Sequence, residues 1–160
     1  MSGARRAACG LLLLVLAGCG VTPAGVTDAG PAPTGVAPGP TVFFLGPAGE
    51  LRGQVRPIGH LGTISDALAL LLAGPGGSGL GTGIAPAGVQ RAGVVLTPAG
   101  IDVRVPLTIG DVTPAGVDQI VCTALAVHVV GGGARDTTVR VDFVQPTPES
   151  DVRRRCPVIR

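Results

Sequence analysis

The chain has 160 residues, among them 27 Gly, 15 Pro and three Phe, with no Trp or Tyr, and its formal net charge is +2. Its 12 basic residues are all arginines and stand against 10 acidic residues. This composition excludes the basic footprint of a nucleic-acid-binding domain, and the scarcity of aromatic residues argues against a sugar-binding surface built on aromatic platforms.

The first 18 residues have the layout of a secretory signal peptide. Two arginines form a basic start, an apolar run occupies residues 11–16, and the small residues Ala17 and Gly18 follow. The run is too short to span a bilayer as a helix, and no later stretch reaches 18 consecutive apolar residues. We therefore expect residues 1–18 to be removed, which leaves 10 arginines and 10 acidic residues in the mature chain.

The four residues that end at Cys19, Leu-Ala-Gly-Cys, resemble the lipobox of bacterial lipoproteins. The resemblance implies that Cys19 is lipidated on sulfur, becomes the first residue after cleavage and is acylated on its amino group. Two or more acyl chains anchor a protein stably, since each buried methylene contributes about 0.8 kcal/mol. The expected location is the outer face of the cell membrane. An ordinary signal peptide that ends in a cysteine is the alternative, and Arg5-Arg6 leave Sec and twin-arginine export both open.

Residues 19–40 are predicted to be a lipidated cysteine followed by a tether. The segment is rich in Pro, Gly and Ala, has a single charge at Asp28 and shows no periodicity. Its prolines oppose a regular helix or a central strand. The tether would hold the folded part away from the membrane.

The predicted domain spans residues 41–145 and begins with two strands and a helix. Residues 41–45 and 51–58 are β-rich runs on either side of a Gly-Pro-Ala-Gly turn. A capping-box spacing at Thr63 and Asp66 and a stop at Gly74-Pro75 bound the predicted helix. Its apolar residues recur at helical spacing: Ile64, Ala67, Leu68, Leu71 and Leu72.

A hairpin, a second helix and a last strand follow. Residues 89–96 and 101–105 flank a second Pro-Ala-Gly turn, and the second arm alternates between apolar and charged residues. The second helix is predicted from residue 114 or 117 to His128, and the last strand over residues 137–144. The order β-β-α-β-β-α-β predicts an α+β fold, a single domain with a mainly antiparallel sheet and two helices on one face.

Two cysteines, Cys122 and Cys156, remain once the signal peptide and the lipidated residue are set aside. An even number in an oxidising compartment predicts a disulfide between them. Two free thiols are one alternative. A metal site that also uses His60 and His128 is the other, although the chain lacks a close ligand pair. A helical wheel places Cys122 on the solvent-side flank of the second helix, where the tail of residues 146–160 could cross and be tied down.

The sequence predicts no catalytic or cofactor-binding motif. Residues 74–79 satisfy G-x-G-x-x-G, but they follow a predicted helix where a dinucleotide site needs a strand. Ser78 lacks the second glycine of a nucleophile elbow. His128 falls on the apolar stripe near a helix end, and His60 falls in a surface loop. The carboxylates that could form a pair for glycoside cleavage are predicted mostly at exposed positions: Asp102, Asp118, Asp136 and Asp142.

Two further patterns concern surfaces. Phe43 and Phe44 point to opposite faces of the first strand, so one belongs to the core, and the other is covered by a loop or offered to a partner. Arg153-Arg154-Arg155 is predicted to be a solvated run, with contact to anionic lipid or wall polymer as the alternative.

Six motifs follow one another along the predicted domain: Val42-Phe43-Phe44-Leu45, the strand Leu51 to Arg56, Ala67-Leu68 through Gly74-Pro75, the loop Gly79 to Gly88, Gln119 to Leu125, and Val139-Arg140-Val141. Through these motifs, residues 41–143 resemble the GerMN domain, a module of sporulation, germination and actinobacterial envelope lipoproteins. An extra Ala85, a longer loop at residues 131–136 and a cysteine-containing tail depart from the family pattern.

This resemblance implies a non-catalytic binding module without a cofactor, held to the membrane through Cys19, whose partner is an envelope protein or a cell-wall component. A cell-wall-active enzyme is one alternative. The other is a carrier of a small apolar ligand, which would need an internal cavity of several hundred Å³.

Overall fold

The computed structural model describes residues 38–86, 88 and 91–160, so the predicted signal peptide, Cys19 and most of the predicted tether lie outside the described residues. Short 3₁₀ turns are present at Gly76–Ser78, Ile109–Asp111 and Pro148–Asp151. The regular elements in chain order are β1 (Thr41–Leu45), β2 (Leu51–Val55), α1 (Ile64–Leu72), β3 (Gly93–Thr97), β4 (Gly100–Arg104), α2 (Pro114–Val130), β5 (Val139–Asp142) and β6 (Arg153–Arg154).

The predicted α+β class is confirmed, and the predicted element order is found with one strand, β6, added at its end. The strands form two sheets: β1 and β2 make an antiparallel hairpin, and the other four make a sheet in the order β3-β4-β5-β6. Three of the four strand pairs are antiparallel. The fourth, β4 with β5, is parallel, with Ile101 opposite Val139 and Val103 opposite Val141. A helix intervenes between these two strands, and such a crossover returns the chain in the same direction.

The helix α2 is buried on almost every side, which differs from the single apolar stripe that the sequence predicts. Its buried residues run almost without interruption from Gly116 to Val127, and the helix packs against α1, β1 and β5. The two helices therefore do not simply share one face of one sheet. Cys122, predicted on the solvent-side flank, is 0% exposed. The helical wheel predicted solvent exposure for the side of α2 opposite its apolar stripe. In the structure, elements distant in sequence cover that side as well.

The fold begins earlier than the predicted boundary at residue 41. The carbonyl of Pro40 accepts a hydrogen bond from the amide of Arg56 at 3.0 Å, and the carbonyl of Pro38 accepts one from Ile58 at 3.0 Å. Gly39 between them is buried, and a Cβ there would lie 1.7 Å from the Arg56 carbonyl oxygen. Prolines lack an amide donor but still accept hydrogen bonds, so this Pro-Gly-Pro segment extends the hairpin through its carbonyls. The last three residues of the predicted tether belong to the fold.

The C-terminal tail is also part of the fold, although a separate segment and a solvated arginine run were predicted. Arg153 and Arg154 form β6, which pairs with β5, and both residues are half-buried. Arg153 donates to Asp102 at 2.7 Å, and Arg154 donates to Glu149. Only Arg155 of the predicted run is classed as exposed. Asp102 on β4 and Glu149 in the 3₁₀ turn before β6 pair with Arg153 and Arg154, and these ion pairs allow both arginines to lie in an edge strand.

Helix α1 begins and ends where the sequence predicts. The amide of Asp66 donates to Thr63 Oγ1 and the amide of Thr63 donates to an Asp66 carboxylate oxygen, so the capping box is complete. Hydrogen bonds from Thr63 lower the pKa of Asp66, and hydrogen bonds from Thr108 lower the pKa of Asp111 in a second box. Gly74 follows the helix with φ of 89°, a conformation that ends helices and favours glycine.

Candidate functional site

Buried polar groups on α2 hold the strand β1. Gln119 is 0% exposed, its Nε2 donates to the carbonyl of Phe43 at 2.9 Å, and its Oε1 accepts from the amide of Gly83 at 2.7 Å. One turn later on α2, Thr123 Oγ1 accepts from the amide of Phe43 at 3.0 Å. Residues four positions apart lie on one face of a helix, so the two side chains act together. They satisfy the backbone donor and acceptor of Phe43 as a neighbouring strand would.

The loop before β3 completes the same edge of β1. Leu45 exchanges two backbone hydrogen bonds with Gly81, at 2.9 and 2.7 Å. The loop then reaches the start of α2, where the carbonyl of Gly83 accepts from the amide of Thr113 at 2.8 Å. A Cβ on Gly116 would lie 2.3 Å from the Gly83 carbonyl oxygen. Two backbones meet here at a distance that only glycine allows.

Three of the motifs that carry the GerMN resemblance therefore meet in one place: the first strand, the glycine-rich loop and the Gln-Ile-Val-x-Thr helix. Their polar groups are engaged with one another across the chain. These residues form a structural cluster, which we call the Gln119 network (Gln119, Thr123, Phe43 and Gly81 to Gly83). The fold therefore explains the sequence pattern of these three motifs. Both polar atoms of the Gln119 side chain are hydrogen-bonded within the fold, so neither is free to take part in a reaction.

His128 lines a surface cleft of about 300 Å³ at the C-terminal end of α2, bounded by the β3–β4 turn and the approach to β5. Its Nε2 lies 3.2 Å from Thr137 Oγ1, and a Cβ on Gly133 would lie 2.2 Å from the same nitrogen. The imidazole is thus half-buried, covered by the glycine loop and hydrogen-bonded to a hydroxyl. Sequence reasoning placed His128 at the helix end but missed Thr137, because nothing in the sequence links a helix end to a residue nine positions later.

A hydroxyl beside an imidazole is also the first requirement of nucleophilic catalysis. A working triad needs a third group that orients the base. Asp136 lines the same cleft, yet among the described residues the only hydrogen-bond partner of the His128 ring is Thr137. His60 is exposed in its loop, as predicted, with Nδ1 3.1 Å from the carbonyl oxygen of Ile58. The structure places the two histidines on different elements with separate partners.

The predicted cysteine pair is joined. Cys122 and Cys156 form a disulfide with a Cα–Cα distance of 4.8 Å, and both residues are buried. Neither is available as a thiol or a metal ligand. Across the part of the chain that the structure describes, no group of three His, Cys, Asp or Glu residues is placed to hold a metal ion.

The carboxylates on the four-stranded sheet are paired with arginines. Arg140 lies 3.3 Å from both Asp102 and Asp142, and Arg153 lies 2.7 Å from Asp102. Asp102 and Asp142 are half-buried, in contrast to the exposed positions predicted for most of these residues. Burial raises the pKa of Asp118 on α2, while Arg154 opposes the shift. The sheet carboxylates therefore act in an ion-pair network.

Both phenylalanines of β1 are buried, so neither is offered to a partner by this fold. Phe44 is 0% exposed and lies under the guanidinium of Arg56, 5.0 Å from the ring centroid. Phe43 is 8% exposed and packs near Gly53, where a Cβ would lie 3.5 Å from the ring. The glycine-rich residues 74–79 form a loop with a 3₁₀ turn after α1, so the strand that a dinucleotide site needs is not in front of them.

A second cleft bears on the carrier alternative. It has a volume of about 460 Å³ and lies between the loop at residues 82–86 and the start of α2. Thr82, Ala85, Pro86 and Gly110 in its lining are exposed. It is an open surface feature, whereas a carrier would enclose its ligand.

No protein-family model matches the chain, and no curated protein or solved structure is significantly similar to it. Within the described residues, neither helix combines the length and the apolar character needed to cross a membrane.

Proposed function

We propose that this protein is a lipid-anchored envelope lipoprotein whose GerMN-like domain binds an envelope protein or a cell-wall component without catalysing a reaction. The anchor rests on Leu16 to Cys19. The binding role rests on the resemblance of residues 41–143 to the GerMN domain. The non-catalytic part is supported by polar groups that are engaged within the fold, in the Gln119 network, the arginine–carboxylate pairs and the Cys122–Cys156 disulfide.

The observation that carries the non-catalytic role is the setting of His128. Its ring is packed under Gly133 and hydrogen-bonded to Thr137, and Thr137 is itself only half-buried on a loop. A catalytic base is oriented by a further group, and among the described residues the His128 ring has no hydrogen-bond partner besides Thr137. His128 instead ties the end of α2 to the segment that leads into β5.

The first prediction concerns the anchor. Membrane-extracted protein should lack residues 1–18 and carry acyl mass on Cys19, and Cys19→Ala should move the protein out of the membrane fraction. Intact-mass analysis and fractionation measure both effects, because removal of the acyl chains removes most of the membrane affinity. Cys9→Ala is the matched control, since Cys9 lies within the predicted signal peptide. An unmodified chain in the soluble fraction contradicts the anchor.

The second prediction concerns catalysis. The protein should release no soluble fragments from purified cell wall, and the double variant His60→Gln/His128→Gln should behave identically. Circular dichroism and thermal unfolding control for folding of the variant. Hydrolysis by the wild type that disappears in a folded double variant would establish the enzyme alternative and refute the binding role.

A further inference from the structure

The strand β3 presents one unpaired edge. The amides of Ile101 in β4 and of Val105, the residue after β4, donate to carbonyls on the β5 side of the sheet, at 2.9 Å each, so the alternate residues of β4 face β3. Asp102 therefore exchanges hydrogen bonds with its partner Val95. The backbone groups of Val94 and Leu96 point away from the sheet, and no described residue bonds them.

The side chains on this edge are apolar and exposed. Val95 is 60% exposed and Leu96 is 62% exposed, whereas Val94 is half-buried against the core. The strand from Gly93 to Thr97 contains no charged residue and no proline. An exposed strand edge of this composition is a template for pairing with another strand.

The other sheet edges in the described part of the chain are protected. The Gln119 network occupies the free edge of β1. The strand β2 carries Arg52 and is followed by Arg56, and β6 consists of two arginines only. Charge and short length are the usual devices that block edge pairing. In this fold β3 is the edge that has neither.

We infer that β3 is a self-association surface, on which the β3 strand of a second copy adds in antiparallel orientation. The two-fold axis passes midway between the Val95 residues of the two copies. Val94 then exchanges backbone hydrogen bonds with Leu96 of the partner subunit, and the two Val95 side chains face each other as a non-hydrogen-bonded pair. Two four-stranded sheets become one continuous sheet of eight strands.

A second copy fits this edge because the edge is self-complementary. The register sets each of the three exposed or half-exposed apolar side chains against another apolar side chain. The nearest charge in the same row, Asp102, is neutralised by Arg140 and Arg153 at 3.3 and 2.7 Å, so two copies approach without facing bare like charges. Because only three residues of each copy pair, the interface is small, and the association is expected to be weak and reversible.

A cysteine placed next to the two-fold axis tests the register in the full-length chain. Facing residues of a non-hydrogen-bonded pair have Cα atoms about 4.5 Å apart, within disulfide range. After mild oxidation of whole cells that express the full-length chain, Val95→Cys should give at least about tenfold more covalent dimer than Val144→Cys. Val144 is the matched control, because it is 57% exposed and lies off β3. Equal cross-linking of the two variants, or none, overturns the inference.

A charge exchange gives a second, independent readout. Two differently tagged full-length chains are co-expressed and one is captured through its tag. Val95→Arg with itself, and Val95→Glu with itself, should lose at least about tenfold of the co-capture, because like charges face each other across the pair. Val95→Arg with Val95→Glu should recover it. If the mixed pair is captured no better than the like pairs, a different partner or no partner occupies β3, and self-association is refuted. Neither test depends on the lipid anchor, since both compare variants within one preparation.

Discussion

Reduction of the Cys122–Cys156 disulfide is expected to lower the free energy of unfolding of the domain by about 4 kcal/mol. The bond joins residues 34 positions apart, and a loop of that length gives this value in the chain-entropy model. For a domain of this size the loss corresponds to a fall in Tm of about 10–20 °C. Thermal unfolding with and without reductant measures it.

The double variant Cys122→Ala/Cys156→Ala controls for the reductant. Both cysteines are buried, so the variant loses their sulfur packing as well and should be at least as unstable as the reduced wild type. Reduction should leave the double variant itself unchanged. If the wild type melts at the same temperature in both redox states, the disulfide contributes nothing to stability.

Replacement of Gln119 by Leu is expected to cost about 2–6 kcal/mol of stability. The change keeps the volume of the side chain but leaves the Phe43 carbonyl and the Gly83 amide without their partner. Each buried unsatisfied group costs about 1–3 kcal/mol. Denaturant unfolding measures the loss, and hydrogen exchange should show faster opening of β1 and of the loop at Gly81 to Gly83.

Two substitutions at nearby positions on α2 test whether the stability loss follows the number of hydrogen bonds removed. Thr123→Val leaves only the Phe43 amide without an acceptor, so its cost should be smaller than that of Gln119→Leu. Asp118→Asn changes the adjacent position and should cost nothing at neutral pH, because burial raises the pKa of Asp118 and so disfavours its charged form in the fold. Equal losses in all three variants would mean that the Gln119 network does not hold β1.

The sequence predicted correctly those elements whose bounds are set by neighbouring residues, through helix caps, turn residues and β-propensity. The capping box at Thr63 and Asp66 and Gly74, which follows the C-cap Ala73, bound α1 in the structure as they do in the sequence. The strand β1 has the predicted bounds, since a run of β-branched and aromatic residues ends at a Gly-Pro turn. The strands β2 and β5 are shorter than predicted. The regular strand β2 ends at Val55, although Arg56 and Ile58 still donate to the carbonyls of Pro40 and Pro38, and β5 ends at Asp142.

Long-range contacts decide what the sequence could not predict. The amphipathic pattern of α2 is weak because β1, α1 and β5 cover different sides of it, so a buried Gln119 is indistinguishable from an exposed one until β1 is in place. The parallel pairing of β4 with β5 likewise depends on how the helix between them crosses. The disulfide was predicted from the even number of cysteines in the mature chain. The burial of Cys122 was not predicted, because it depends on the elements that pack around α2.

Contacts between distant parts of this chain limit how early its elements can be completed during biogenesis. The first strand is completed by Thr123, 80 residues further on, and the second helix is locked by Cys156, four residues before the end of the sequence. A chain threaded through a translocation pore with its N-terminus in front would offer β1 only β2 as a partner until α2 had emerged. The free edge of β1 would then wait for Thr123, and the cross-link to α2 would wait for Cys156.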